Sequence, residues 1–89
     1  MVSAANRHMG RVAEVGCIVC LELGHRGTPA EVHHIGDSSD RSDWLTIPLC
    51  PDHHRGAIGY HGGPKRFEMM FGSELQLLGK TLREMARAT

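Results

Sequence analysis

Apolar residues near the start of the chain recur at the spacing of a helix. The recurrence covers residues 3–15, and the positions that carry it are Ala4, Ala5, Met9, Val12 and Ala13. Gly16 is a suitable end for this helix, because glycine readily adopts the backbone conformation found just after a helix. The pattern therefore predicts a first helix with one apolar face.

The last third of the chain predicts two further helices. Residues 64–71 begin with a proline, and Ser73 is a good N-cap for a last helix that ends near Ala88. The apolar stripe expected on this last helix consists of Leu75, Leu78, Leu82 and Met85. We interpret that stripe as a packing face rather than a surface for a partner.

The middle of the chain predicts a pair of short strands. Residues 31–35 and 44–49 are rich in apolar and β-branched residues, and a polar turn over 36–43 separates them. The segment Cys17–Cys20 is expected to be a short turn, and the residues 24–29 a loop. A hairpin flanked by helices is the expected arrangement.

A short helix is predicted directly after the second strand. Pro51 suits its first position, and Asp52 is favourable beside the positive end of the helix dipole. His53 and His54 follow in its first turn. We expect this helix to be short, because each glycine inside it would cost roughly 1 kcal/mol, and the segment that follows contains Gly56, Gly59, Gly62 and Gly63.

Composition narrows the class of protein. The chain has 89 residues, three cysteines and a formal net charge of zero. Its length predicts one small domain over residues 1–89, with a thin core that needs extra stabilisation. An odd number of cysteines argues against a disulfide framework. We find no long apolar run that would be a signal peptide or a membrane span, and we expect a cytoplasmic protein.

The cysteines and histidines carry most of the functional information, because all three cysteines and six of the seven histidines lie between residues 17 and 61. Cys17 pairs with Cys20 and Cys50 with His53, with two residues between the members of each pair. This spacing is typical of a zinc knuckle, in which two pairs complete a tetrahedral site. Buried thiols beside a surface histidine, or a Cys–His nucleophile pair, are the alternatives.

A second group consists of His33, His34, His54 and His61. Neighbouring residues on a strand point to opposite faces, so His33 and His34 serve one site only if the strand twists or ends there. His54 and His61 are two helical turns apart and share a face if the glycine-rich stretch stays helical. Each histidine alone could be a solvated or core residue, but together they predict a second metal site.

The order of strand, turn, strand and helix, with two histidines on the first strand, resembles the ββα-metal (His-Me finger) motif of HNH nucleases. Within that superfamily the chain is most similar to the phage recombination-enhancement nucleases, which are Ref-like and RecA-dependent. The similarity spans roughly residues 8–72 and rests on Gly16–Cys20, Val32–Ile35, Trp44–Cys50 and Phe67–Glu68. It implies an α+β domain with a ββα-metal core, a zinc knuckle and flanking helices.

The resemblance also implies a role for each ligand. His33, His54 and His61 would hold a catalytic divalent ion, either Mg²⁺, Mn²⁺ or Zn²⁺, and His34 would be the general base that takes a proton from the attacking water. A structural Zn²⁺ would be held by Cys17, Cys20, Cys50 and His53.

The chain departs from the family pattern in three ways. The middle Asn of the motif would fall near Trp44 or Leu45, and Asp43 is the nearest polar residue. The last histidine often follows the helix ligand by four residues, where this chain has Ile58, so His61 is displaced. Nucleases of this family that have been described carry a long basic N-terminal arm, which these residues do not include, so dependence on a recombinase filament stays open. DNA is the expected partner.

The resulting hypothesis is a metal-dependent DNA endonuclease of low sequence specificity, acting in phage or prophage recombination or DNA processing in a bacterial host. The expected phosphate contacts are Arg55, Lys65 and Arg66, together with Arg26 and Arg41, and a solvated basic surface is the alternative for each. A non-catalytic, zinc-stabilised nucleic-acid-binding module is the alternative function, which the missing Asn favours. A toxin-like nuclease has little support, because we see no delivery domain.

Overall fold

The computed structural model describes residues 2–36 and 41–88. Its elements in chain order are α1 (Ala4–Glu14), α2 (Ile18–Glu22), β1 (Glu31–His34), β2 (Thr46–Leu49), α3 (Pro51–Arg55), a 3-10 helix (Tyr60–Gly62), α4 (Pro64–Phe71) and α5 (Glu74–Arg87). The predicted α+β class is confirmed. Part of the predicted polar turn, residues 37–40, lies outside the described residues.

Helix α1 confirms the first predicted helix. The Ser3 hydroxyl caps its N-terminus, and Val12 is buried on its inner face. Gly16 follows with a φ of +81°, a region that glycine adopts without strain. The turn lets the Cys17 N–H donate to the Thr28 carbonyl at 2.9 Å, which holds the first cysteine against the loop after α2.

The segment that contains the first two cysteines is a short helix, where a turn was expected. Cys17 is the N-cap of α2, and its sulfur lies 3.4 Å from the backbone nitrogen of Cys20. The enclosed residues Ile18 and Val19 are buried. Burial of these two apolar side chains favours one compact helical turn, which keeps both thiols on the same side.

The two strands form an antiparallel pair, in which His33 lies opposite Ile47 and His34 lies opposite Thr46. The second strand begins two residues later than predicted, because Trp44 and Leu45 belong to the turn before it. There the Trp44 ring packs beside a histidine ring of α1, with the centroids 4.9 Å apart. Trp44, one of the two residues near which the Asn was expected, therefore packs against another side chain.

The apolar stripe of α5 is displaced from the predicted one. Leu78 and Met85 are buried as expected, but Leu75 is 70% exposed and Leu82 is 46% exposed. Their places are taken by Leu77 and Thr81, on the same helical face as Met85. Thr81 can be buried because its hydroxyl donates to the carbonyl of Leu77 at 2.8 Å, a bond that a search for apolar residues does not anticipate.

The core lies between the hairpin and the helices, and it includes two of the knuckle cysteines. Cys17 and Cys50 pack in one buried cluster with Ile18, Val19, Ile35, Ile47, Leu49, Phe67, Leu77 and Leu78. Cys17 and Cys50 are therefore part of the packing that holds α2, β2 and α5 together.

None of the helices in the described ranges has the length and apolar character that crossing a lipid bilayer would require.

Candidate functional site

Two clusters of metal-binding side chains are assembled around β2 and α3. The first consists of Cys17, Cys20, Cys50 and His53, whose ligand atoms lie within 4.8 Å of one another. The Nδ1 atom of His53 is 3.2 Å from the sulfur of Cys50, 3.5 Å from that of Cys17 and 3.6 Å from that of Cys20. The sulfurs of Cys20 and Cys50 are 3.9 Å apart.

These separations match a tetrahedral site. Ligands at ordinary zinc bond lengths lie about 3.5–3.8 Å from one another at the corners of a tetrahedron. Burial raises the pKa of the Cys17 thiol to about 12, so a thiolate at this position needs a cation beside it. Burial also lowers the pKa of His53, which keeps its imidazole neutral and able to coordinate. The cluster is therefore suited to zinc.

The second cluster brings together His33, His54 and His61, with one nitrogen of each within 4.8 Å of the others. His33 comes from β1, His54 from α3 and His61 from the 3-10 helix. The ring centroids of His54 and His61 are 4.8 Å apart, and each lies 5.1 Å from that of His33. The predicted group is thus assembled, although His34 faces elsewhere.

His61 reaches His54 by a different route from the predicted one. Helix α3 ends at Arg55, and the chain folds back through a turn before the 3-10 helix. Gly59 makes this return feasible, since a Cβ there would lie 2.8 Å from both the Asp52 carbonyl oxygen and the His54 carbonyl carbon. The glycine-rich stretch does not stay helical, which was the condition for a shared helical face, and His61 lies beside His54 through this turn instead.

His33 is almost fully buried, at 2% exposure, and it is held from outside the histidine cluster. Its Nε2 lies 2.6 Å from a carboxylate oxygen of Glu74, and its ring packs at a tilt against that of Tyr60, with centroids 4.7 Å apart. Its Nδ1 is buried and has no hydrogen-bond partner among the described residues. Burial lowers the pKa of His33, against the opposing effect of Glu74. A neutral imidazole with an unshared nitrogen is what a metal ligand requires.

His54 is braced in a similar way. Its Nδ1 lies 2.9 Å from Oε1 of Glu31, and Arg55 donates to both oxygens of that carboxylate through Nε and Nη2. The Arg55 guanidinium and, to a smaller extent, His54 lower the pKa of Glu31 to about 2. Arg55 was predicted as a phosphate contact, and its guanidinium is engaged with Glu31 in this structure.

His34 lies on the other face of β1 from His33, as the alternation of a strand predicts, and its side chain is 20% exposed. Its Nε2 is 2.8 Å from Oδ1 of Asp43, and its Nδ1 is 3.2 Å from Nη2 of Arg41. A carboxylate only accepts and a guanidinium only donates, so these contacts fit an imidazole with the proton on Nε2. Asp43, the nearest polar residue to the missing Asn, thus contacts the predicted base directly.

A cavity of about 300 Å³ lies beside both the three-histidine cluster and His34. The residues that line it are Val32, His33, His34, Gly36, Arg41, His54, Tyr60 and His61. The three-histidine cluster and the predicted base therefore open onto one space, even though His33 and His34 point to opposite sides of the strand.

The remaining predicted phosphate contacts are dispersed. Lys65 is exposed at the start of α4, close in sequence to His61. Arg66 donates to the carbonyl oxygen of Ala57 at 2.5 Å and so supports the turn after α3. Arg26 lines a separate groove formed with the C-terminal ends of α1 and α5. Of the predicted phosphate contacts, Arg41 lines the cavity beside the histidines.

Sequence reasoning missed Glu74, Glu31 and Tyr60. Glu74 is 41 residues from His33, and Glu31 is 23 residues from His54. No spacing rule connects pairs so far apart. The one available signal was chemical, since a metal-binding histidine usually donates its second nitrogen to a carboxylate or carbonyl.

The comparison with protein families gives one match. The family model described as "Recombination enhancement, RecA-dependent nuclease" matches residues 2–86. The match includes every residue of both clusters, as well as Asp43 and Glu74. No curated protein matches the chain.

Proposed function

Because this chain belongs to the family of recombination-enhancement, RecA-dependent nucleases, we propose that it is a metal-dependent DNA endonuclease of the HNH type, with β1, β2 and α3 as its ββα-metal core. Membership makes it an enzyme that acts on phosphodiester bonds. The structure contains residues suited to binding metal.

The observation that carries the proposal is the difference between the two clusters. The cysteine cluster offers four ligands and is largely buried, as structural zinc sites are. The histidine cluster offers three ligands, His61 is exposed, and the cavity beside it is open to solvent. Catalytic sites keep a coordination position free in this way. We assign structural Zn²⁺ to the first and the catalytic ion to the second.

His34 is the proposed general base. A divalent ion bound by the three histidines would supply stabilisation of the negative charge that builds up on the phosphate and the departing 3′ oxygen. The His34 Nδ1 faces the same cavity and would accept the proton of the attacking water. Asp43 accepts from Nε2–H and so holds the ring in the tautomer that leaves Nδ1 basic.

Arg41 has a contact that DNA binding would need to change. In the structure its guanidinium donates to the same His34 Nδ1 at 3.2 Å. A phosphate oxygen in the cavity would be a stronger acceptor for this cation, because both groups are then charged. Transfer of Arg41 to the phosphate would release Nδ1 for water.

Low sequence specificity is part of the same proposal. Arg41 lines the cavity and Lys65 is exposed at the start of α4, whereas Arg55 and Arg66 are engaged with protein groups. Contacts of this kind position a nucleic-acid backbone but carry no base information. The family relation supports a role in recombination together with RecA.

A plasmid assay tests the proposal. Supercoiled DNA is incubated with the zinc-loaded protein in parallel samples with and without RecA. It should be nicked when Mg²⁺, Mn²⁺, Ni²⁺ or Zn²⁺ is added. A chelator should stop the reaction. The effect follows from the need for an ion to stabilise the transition-state charge.

The control is the same preparation with His33→Ala, which should bind DNA but fail to cut it at any ordinary metal concentration. DNA binding without cleavage by the wild-type protein, with every metal and with RecA, would instead favour the non-catalytic binding module.

His61→Ala should weaken binding of the catalytic ion without abolishing it. His61 is the exposed member of the cluster and lies on a short 3-10 helix, so its loss leaves His33 and His54 in place. Cleavage should fall at low metal concentration and partly return at high concentration. Zinc content should remain unchanged, because none of the four cysteine-cluster ligands is altered.

The matched control is His25→Ala, which removes an exposed histidine outside both clusters and should leave the metal dependence as it is. Full activity of His61→Ala at low metal would remove His61 from the site.

A further inference from the structure

We propose that Glu74 and Glu31 are positioning residues for the three-histidine site. Each carboxylate holds one ring nitrogen of its histidine, so that Nδ1 of His33 and Nε2 of His54 are directed toward the ion. The inference rests on the proposed function, since it concerns the geometry of the catalytic-ion site. Neither carboxylate belongs to either cluster of converging ligands.

The first step is the tautomer of His33. The Glu74 carboxylate can only accept, so at 2.6 Å the His33 Nε2 carries the proton. A proton on Nδ1 as well would be buried with no acceptor among the described residues, which is unfavourable because a buried donor loses its hydrogen bond to water. Nδ1 is therefore left with its lone pair, and it is the nitrogen that His33 presents.

His54 is fixed in the opposite sense. Its Nδ1 lies 2.9 Å from Glu31, so Nδ1 carries the proton and Nε2 is the free nitrogen. Arg55 binds both oxygens of Glu31 and holds the carboxylate in place. Two ligands on separate elements thus each have one nitrogen committed to a carboxylate and the other left to bind metal.

Glu74 is well placed to do this with precision. It is the first residue of α5, directly after the Ser73 N-cap, where a capping box with Gln76 closes the helix end. The positive end of the helix dipole favours a carboxylate at that position. Its other oxygen accepts from the Gly36 N–H at 3.5 Å. Helix α5 is anchored in the core by Leu77 and Leu78, so the carboxylate is held by a rigid element.

The ring of Tyr60 also contacts His33. It packs at a tilt against the imidazole with centroids 4.7 Å apart and packs edge-on against buried Phe67. Rotation of His33 about its side-chain bonds would lose both this ring contact and the Glu74 contact. The imidazole is therefore set in one orientation before any ion arrives, which reduces the ordering that binding requires.

The experiment is a titration of the zinc-loaded protein with Co²⁺, followed by calorimetry and by the visible absorption of the bound ion. Glu74→Leu should weaken Co²⁺ binding at the second site by ~10–100-fold, the usual effect of losing such a partner. Glu74→Gln keeps an acceptor for Nε2–H and should recover most of the affinity. Glu31→Leu should behave like Glu74→Leu. Glu84→Leu, on the same helix but outside the site, is the matched control.

A second readout does not need the ion. The ring-nitrogen chemical shifts of His33 in the Co²⁺-free protein should show one tautomer, protonated on Nε2, in the wild type. In Glu74→Leu they should show a mixture. A thermal melt and zinc content equal to those of Glu84→Leu would establish that the fold is retained.

The outcomes separate this inference from the proposed function. If the wild type binds no Co²⁺ at the second site, as is expected for His33→Ala, the catalytic-ion site itself is overturned. Strong wild-type binding with Glu74→Leu within about twofold of it would overturn the positioning role alone. Complete loss in both Glu74→Leu and Glu74→Gln, with a changed Co²⁺ spectrum, would make Glu74 a ligand and would also overturn it.

Discussion

Cys17→Ser is expected to give a protein that binds no structural zinc and is largely unfolded or insoluble. Cys17 is part of the core and a member of the four-ligand cluster. Zinc binding to such a site contributes an apparent ~10–16 kcal/mol in small zinc domains, which is comparable to the whole stability of a domain of this size. A hydroxyl in place of the thiol is a poor zinc ligand, so this contribution would be lost.

Metal analysis of the purified protein and a thermal melt followed by circular dichroism would measure the effect. All three cysteines belong to the four-residue cluster, so the matched pair of variants uses histidines. His53→Asn should lose zinc and stability, whereas His25→Asn should lose neither. Wild-type protein without zinc, or a Cys17→Ser variant that melts like the wild type, would show that the cluster is only a set of buried thiols.

His34→Ala is expected to lower DNA nicking by ~10²-fold or more, the usual scale for losing a general base, while fold and metal content stay unchanged. His34 lies outside both clusters of ligands, and its ring contacts Asp43 and Arg41. Removing it should therefore affect the proton transfer and leave the ion in place. Single-turnover cleavage at saturating metal would measure this directly.

His33→Ala is the informative counterpart, because it alters the neighbouring residue of the same strand. It should lose the catalytic ion, with Co²⁺ binding at the second site abolished, while structural zinc is retained. The reverse pattern, in which His34→Ala loses the ion and His33→Ala keeps it, would exchange the two roles. Equal activity of His34→Ala and wild type at all metal concentrations would mean that another group accepts the proton.

Much of the metal chemistry was predictable from the sequence, because ligand type and local spacing are properties of the chain itself. Two residues between Cys17 and Cys20, and again between Cys50 and His53, allow both members of each pair to reach one ion. The short helix opened by Pro51 was predicted for an equally local reason, the fixed φ of proline at the first helical position. The structure agrees with these predictions because they depend on a few bonds of backbone.

The tertiary structure decided what depends on contacts between distant segments. Hydrophobic spacing on α5 selected Leu75 and Leu82, yet the core buries Leu77 and Thr81, since the docking angle of a helix is set by the surface that it meets. His61 lies beside His54 because the chain returns closely at Gly59, whereas a shared helical face required the glycine-rich stretch to stay helical.

The contact between Glu74 and His33 shows most clearly what the sequence determined and what the tertiary structure decided. The sequence determined which histidines were available as ligands, because a run of histidines near a knuckle is visible without a fold. Only the packing of α5 against β2 of the same hairpin decided that Glu74 would meet Nε2 of His33 and leave its Nδ1 without a hydrogen-bond partner among the described residues. The reason is that hydrogen bonds act over about 3 Å, and a separation of 41 residues along the chain is closed by the burial of a common core.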